Sequence, residues 1–375
     1  MVVDQKGPHP PHIPTLDGWR AIAIVLVLLG HGHDELAHVA DAWNLSLQLP
    51  REIGLFGVQV FFALSGYLIT TNLLEEEAWR QRASLQSFYF RRIFRILPAA
   101  CVYLAIVGLL AMVGVLDVTP WRWFATLFLL SNYTEAPGSW YLGHFWSLAI
   151  EEHFYLVWPF MFVVLARNGR RLLFVVLALL AVCAWRAIAF KYRLTWSSPT
   201  LFWGRTDLQA DGILCGVAWA LLRRLPQARA GLDKVLRNAL ALPVLAVVVV
   251  LLDEWALGGW KSAFAAISLR SVLLPLLILA TVVRPHGVAG RVLESRPLRF
   301  LGKISYSLYL WQQLFLVWDA SRVQALAPVQ SFPLGIACAL ACACASYALV
   351  ERPMIAVGRN WLRSRARAAT LAPAT

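Results

Sequence analysis

Long apolar runs alternate with short polar ones from residue 16 to residue 350. The clearest lie at 102–116, 172–190, 239–252, 264–283 and 332–350. A helix of roughly 17–25 such residues crosses the hydrocarbon of a bilayer. Taken together, the runs predict helices near 18–36, 52–74, 97–116, 143–166, 172–190, 204–222, 239–257, 264–283, 300–320 and 332–350. The expected fold is therefore all-α: a polytopic membrane helical bundle of about ten transmembrane helices. A further segment, "WRWFATLFLLSNY" at 121–133, is apolar but short for a crossing, and is read as re-entrant or interfacial.

Composition supports that class. The chain is 59% hydrophobic and only 15% charged, which excludes a soluble domain of useful size. Its net charge of +13 raises the question of nucleic acid, but the distribution argues against such a partner. Basic residues gather between hydrophobic runs, at Arg80 to Arg95, Arg167 to Arg171, Arg223 to Arg237, Arg284 to Lys303 and Arg352 to Arg367. Positive residues mark the cytoplasmic flanks of spans. If 121–133 does not cross, all but nine of the 34 Lys and Arg fall on or near that side. The exceptions are Arg51, Arg122, Arg186, Lys191, Arg193, Arg205, Lys261, Arg270 and Arg322. An eleven-span arrangement inverts every later basic loop, so both termini are expected in the cytoplasm.

This gives a Pro-rich cytoplasmic tail at 1–15, an integral-membrane domain at 16–353 and a basic cytoplasmic tail at 354–375. The tail at 1–15 has no cleavage signal, so the first hydrophobic segment is expected to be retained. The six cysteines lie in or beside apolar segments, without metal-type spacing, and are read as packing residues with no metal site.

Against this apolar background four polar constellations stand out. In "LDGWRAIAIVLVLLGH" (16–31), Arg20 and His31 are eleven residues apart, three helical turns plus about 20°, so they share a face about 16 Å apart. Asp17 lies three residues before Arg20, close enough to pair. The Asp17–Arg20 pair is read equally well as an anchor or as part of a site. His31 inside the run points to function, because ionisable groups in hydrocarbon are costly.

The second constellation is "GSWYLGHFWSLAIEEHFYLVWP" (138–159), where His144, Glu151 and Tyr155 form one helical stripe. Glu152 and His153 are expected to point elsewhere. If this helix enters from the outer side near residue 143, Glu151 lies about 12 Å in, level with His31. The acid and the imidazole are then expected to meet near mid-membrane. Third, Arg92 and Arg95 in "SFYFRRIFRILP" (87–98) can face one site. Guanidinium groups match phosphate oxygens, yet positive-inside anchoring explains the pair equally well. Fourth, Ser65 and Gly66 in "FFALSGYLIT" (61–70) suit close helix packing.

These stretches, in this order, resemble the acyltransferase-3 family of integral-membrane O-acyltransferases. "LDGWRAIAIVLVLLGH" is similar to its Arg, ten residues, His signature. "HFWSLAIEEHFYLVWP" is similar to its WSL–EEQFYL segment, with His153 where Gln is usual; Trp19 replaces a usually aliphatic residue. "FFALSGYLIT", "FYFRRIFRILP", "GRTDLQADGILCGVAWALL", "LGKISYSLYLWQQLFL" and "ERP" at 351–353 resemble further landmarks. The resemblance implies a multi-pass enzyme of the bacterial inner membrane. It would take an acyl group, commonly acetyl, from cytoplasmic acyl-CoA (acetyl-CoA as donor substrate, no metal).

The implied acceptor is a sugar hydroxyl of an exopolysaccharide, O-antigen or lipid-linked glycan. The implied catalytic residues are His31 and Glu151, with Arg20, Arg92, Arg95, Ser65 and Tyr67 at the donor. Asp17, His144, Trp146, Ser147, Tyr155, Arg205, Asp211, Tyr306 and Gln312 would line or support the site. Membrane lipids are the surrounding partners. Some relatives carry an esterase-like domain after the membrane part; a standalone membrane domain is expected here. A small secondary metabolite such as a macrolide remains an alternative acceptor, and a glycan or lipid transporter or flippase an alternative function. Direct transfer and an acyl-histidine intermediate both remain open.

Overall fold

The computed structural model describes residues 12–42, 52–134, 140–168, 170–192, 194, 204–256, 260–318 and 321–371. Residues 1–11 of the N-terminal tail, Arg51, Arg193 and the last four residues lie outside them. The described residues form helices joined by turns, with no strand among them. In order these are α1 (Pro14–His31), α2 (His33–Ala42), α3 (Ile53–Arg80), α4 (Leu85–Met112) and α5 (Pro120–Leu127). Next come α6 (Phe145–Val164), α7 (Arg171–Tyr192), α8 (Thr206–Leu222), α9 (Pro226–Leu236) and α10 (Ala241–Ala256). The last are α11 (Trp260–Val283), α12 (Val288–Leu293), α13 (Arg296–Phe315), α14 (Leu334–Ser346) and α15 (Arg352–Leu371).

Helix occupies each of the ten ranges read from the sequence. Six segments of the described chain are long and apolar enough to cross a membrane: Ile53–Arg80, Leu85–Met112, Trp140–Val164, Arg171–Tyr192, Phe264–Val283 and Leu334–Arg365. A seventh is possible if α9 and α10, bent by 86° at their junction, act as one. The helices that fall short, α1, α8 and α13, are shorter or more polar. They also carry Arg20, Asp211 and Gln312, so their polar content belongs to the interior of the bundle.

Local chemistry sets several boundaries. Pro14 starts α1, and Gly32 ends it one residue after His31, with the Gly32 N–H on the Leu28 carbonyl. His31 therefore closes a helix instead of lying inside one that runs to residue 36. The Thr119 side chain accepts from the Arg122 N–H and starts α5, whose eight residues rise only about 12 Å. That is too short to cross. The C-terminal basic stretch is helical, and Trp361 stacks on Phe90 at 4.0 Å.

Glycines let the central helices approach at backbone distance, as small residues do in membrane bundles. A Cβ at Gly216 of α8 would stand 2.9 Å from the Tyr67 nitrogen of α3. One at Gly302 of α13 would stand 2.6 Å from the Asp17 carbonyl carbon of α1. Large apolar side chains such as Leu177 and Leu180 of α7, and Val247 and Val250 of α10, cover the outside of the bundle. Such a surface suits lipid. The chain is a multi-pass membrane protein. Its cysteines divide between the two environments, with Cys215 buried and Cys101 exposed on α4.

Candidate functional site

Where α1, α3, α4, α6 and α13 converge they line a part-open cavity that leaves about 90 Å³ for the centres of water-sized molecules. Arg20 enters from α1, Ser65 from α3, Arg92 and Arg95 from α4, Glu151 and Tyr155 from α6, and Tyr306 and Tyr309 from α13. Three cations and two carboxylates, Glu151 and Glu152, thus share one space.

The carboxylate wall is internally bonded. Ser65 Oγ donates to Glu151 Oε1 at 3.0 Å, and the Tyr155 hydroxyl donates to the other carboxylate oxygen. Elsewhere in the lining the Ser147 and Tyr309 hydroxyls bond each other, and the Tyr306 hydroxyl donates to the Ile96 carbonyl at 2.9 Å. The cationic wall differs. Arg20 is held by Asp17 at 3.6 Å, and Asp17 also meets His12 at 2.8 Å. Arg92 lies over the Tyr155 ring at 4.5 Å. Among the described residues, neither Arg92 nor Arg95 donates a hydrogen bond or forms a salt bridge. Both line the cavity, so their donors are free for an anionic ligand.

His31 stands outside the residues that line this cavity. Its Nδ1 meets Gln312 Oε1 at 2.8 Å, and its ring packs edge-on against Trp140 at 5.1 Å. Glu151, bonded to Ser65 and Tyr155, has Arg92 and Arg20 as electrostatic neighbours. The expected meeting of acid and imidazole therefore does not occur. The depth argument assumed that α6 begins at the membrane edge. Instead the turn before it already lies beside His31, so Glu151 sits about 12 Å further along, towards Arg20.

Glu152 was expected to face away, yet it lines the cavity beside Glu151, because the space wraps around more than one face of α6. His153 does point elsewhere, with Nδ1 2.8 Å from the Thr206 hydroxyl.

Other residues singled out from the sequence take different places. Tyr67 lies outside the cavity lining, and its hydroxyl accepts from Arg223 at 3.1 Å. Asp211 forms a buried ion pair with Arg186 of α7, and Arg205 pairs with Asp207 at 2.8 Å. Trp146 packs edge-on against Phe62. His144 is buried among Tyr103, Phe145 and Tyr309, with no hydrogen bond to either ring nitrogen.

Several residues of this region carried no sequence signal strong enough to find them. Glu351 occupies a π-helical turn, Tyr347–Glu351, and bonds Ser307 at 2.9 Å with Arg95 and Arg20 as electrostatic neighbours. The "ERP" stretch was the available hint. Arg122 of α5 is buried and donates to the Leu142 carbonyl at 3.2 Å, which ties down the turn beside His31. Burial draws its guanidinium below the usual arginine value.

Comparison with known proteins identifies the family. An acyltransferase domain model matches residues 13–348. The Bacillus subtilis protein YrhL, named a putative peptidoglycan O-acetyltransferase, is 31% identical over 93% of this chain and 56% of its own length. The peptidoglycan O-acetyltransferase OatA of Listeria monocytogenes is 28% identical over 80% of this chain and 49% of its own. The chain thus spans about half the length of these curated relatives. No solved structure matches it. With the acyltransferase domain matched over residues 13–348, nearly its whole length, the chain belongs to the acyltransferase-3 family.

Proposed function

We propose that this protein transfers an acyl group, commonly acetyl, from acyl-CoA to a hydroxyl of a bacterial envelope glycan. The observation that carries this reading is the pair of guanidinium groups, Arg92 and Arg95, that line a cavity beside the helix ending in His31 and, among the described residues, make no hydrogen bond or salt bridge. Planar guanidinium forks suit the phosphates of coenzyme A. In this reading the bundle crosses the bacterial inner membrane ten times with both termini inside, so Arg20, Arg92 and Arg95 open towards the cytoplasm. The pantetheine arm then runs from these arginines along α1, about 16 Å, towards His31.

His31 takes the proton of the acceptor hydroxyl as its oxygen attacks the thioester carbonyl carbon. The carbon–sulfur bond breaks, the thiolate leaves, and the imidazolium returns the proton to sulfur. The products are the O-acyl glycan and free coenzyme A. A positioned base contributes typically about 10²- to 10⁴-fold, and imidazole titrates near neutrality. Glu151, Ser65 and Tyr155 form the polar wall beside the arginines and orient the donor. The names of the relatives favour peptidoglycan among the envelope glycans.

The test compares wild type with His31→Ala and His31→Gln. Mass spectrometry of cell-wall and surface glycan reads transfer, and purified protein in nanodiscs reads acetyl-CoA binding. Transfer is expected to be lost with binding retained. Substantial transfer by either variant would overturn the role of His31. An unacylated envelope in wild type, with a small hydroxylated metabolite acylated instead, would overturn the acceptor.

A further inference from the structure

Two adjacent glutamines behind His31 form a chain of hydrogen bonds with only one possible direction. Gln313 Nε2 donates to the Trp140 carbonyl at 2.7 Å. Gln312 Nε2 donates to Gln313 Oε1 at 3.1 Å and to the Tyr309 carbonyl at 3.4 Å. Gln312 Oε1 then meets His31 Nδ1 at 2.8 Å. Both glutamines are buried, so water does not replace these partners.

The direction follows from the first link. A peptide carbonyl only accepts, so Gln313 must present its NH2 to Trp140 and its oxygen to Gln312. Gln312 must in turn present its NH2 to that oxygen, and to the Tyr309 carbonyl, leaving only its own oxygen for His31. An oxygen there demands a proton on Nδ1, and a neutral imidazole protonated at Nδ1 carries its lone pair on Nε2. The anchor itself is fixed. The turn that carries Trp140 is held by Arg122 through the Leu142 carbonyl, and the Trp140 indole donates to the Leu316 carbonyl at 3.1 Å. The same residue therefore supplies the terminal acceptor of the chain and the ring that packs against His31.

We propose that Gln313 and Gln312 are positioning residues that relay the polarity of the Trp140 carbonyl to His31 and hold it as the Nδ1–H tautomer, with Nε2 as the proton-accepting atom. The catalytic consequence rests on His31 being the base; the tautomer does not. Gln313 touches neither His31 nor any reacting atom, and acts only by preventing the Gln312 amide from turning over.

The experiment uses full-length protein with 15N-histidine in nanodiscs at pH 9, where ring-nitrogen shifts distinguish the two neutral tautomers. His31→Ala assigns the signal. Wild type is expected to show Nδ1–H at His31; Nε2–H would overturn the proposal without any variant. Gln313→Met keeps the volume and leaves the Gln312 amide oriented only by its longer bond to the Tyr309 carbonyl at 3.4 Å, so that it turns over more readily. The tautomers should then mix, and kcat should fall in proportion to the lost Nδ1–H fraction, about twofold for an even mixture, with KM for acetyl-CoA unchanged.

Gln312→Glu combined with Gln313→Met should restore Nδ1–H and most of kcat, because a carboxylate has only acceptors to offer. A merely structural role predicts that the double variant is worse than either single one, and that result would overturn the relay. If the tautomers behave as described while His31→Ala still transfers acyl groups, the relay stands and the assignment of His31 as base fails.

Discussion

Gly302 offers the sharpest test of how the crossing of α1 and α13 sets the site. An alanine Cβ there would stand 2.6 Å from the Asp17 carbonyl carbon and 3.0 Å from its Cα. Carbon atoms pack at about 3.5–4.0 Å. The two helices must therefore part by about 1 Å, because the obstructing atoms are backbone and have no rotamer to change. Arg20 lies one turn from Asp17 on α1, while Ser305, Tyr306 and Tyr309 line the cavity from α13. The added methyl group thus moves one wall of the cavity relative to the other. A displacement of about 1 Å can cost on the order of 10²-fold in rate, and overpacking of this kind costs about 1–3 kcal/mol of stability.

Transfer from labelled acetyl-CoA to glycan in inverted membrane vesicles, at matched protein level, should fall about a hundredfold in Gly302→Ala. Gly231→Ala is the control, since nothing lies within 4 Å of its Cβ and it sits in the helix α9. Alanine there should leave transfer unchanged and stabilise the helix by up to about 1 kcal/mol. If Gly302→Ala retained transfer within twofold of wild type, the crossing would not be what sets the cavity.

Arg92→Ala with Arg95→Ala should weaken acetyl-CoA binding by more than tenfold in nanodisc titration. Lysine at both positions should restore little of it, because a point charge lacks the planar fork; unchanged binding would reduce the pair to topology signals. Asp211→Asn leaves Arg186 buried without its anion and should cost about 3–5 kcal/mol, read as a lower Tm in detergent. Arg186→Met should cost less, because Asp211 keeps Arg270 as an electrostatic neighbour; equal losses would refute that ordering. Cysteine labelling should find position 170 inside and position 261 outside, and labelling of 170 from outside would overturn the ten-span arrangement.

The helices were legible because a membrane helix must satisfy its backbone internally and present apolar side chains to lipid. Both demands write long uninterrupted runs into the sequence. The arginines of the cavity were legible for the opposite reason: charge in such runs is costly and stands out. What could not be read was which polar groups meet. Arg20, Ser65, Glu151 and Tyr306 come from four helices, and their relative heights depend on where each helix starts. Near His31 the start of α6 is displaced by the Trp140–Leu142 turn, so an eight-residue count from residue 143 began at the wrong depth.

Gln313 was invisible for another reason. A buried amide in an apolar helix looks the same whether it packs, bonds lipid or orders a neighbour. Its role exists only through the direction of its hydrogen bonds, and that direction is set by the Trp140 carbonyl. A backbone acceptor contributed from another part of the chain leaves no trace in residue type. The chemistry most specific to this site is therefore carried by the atoms that every sequence shares.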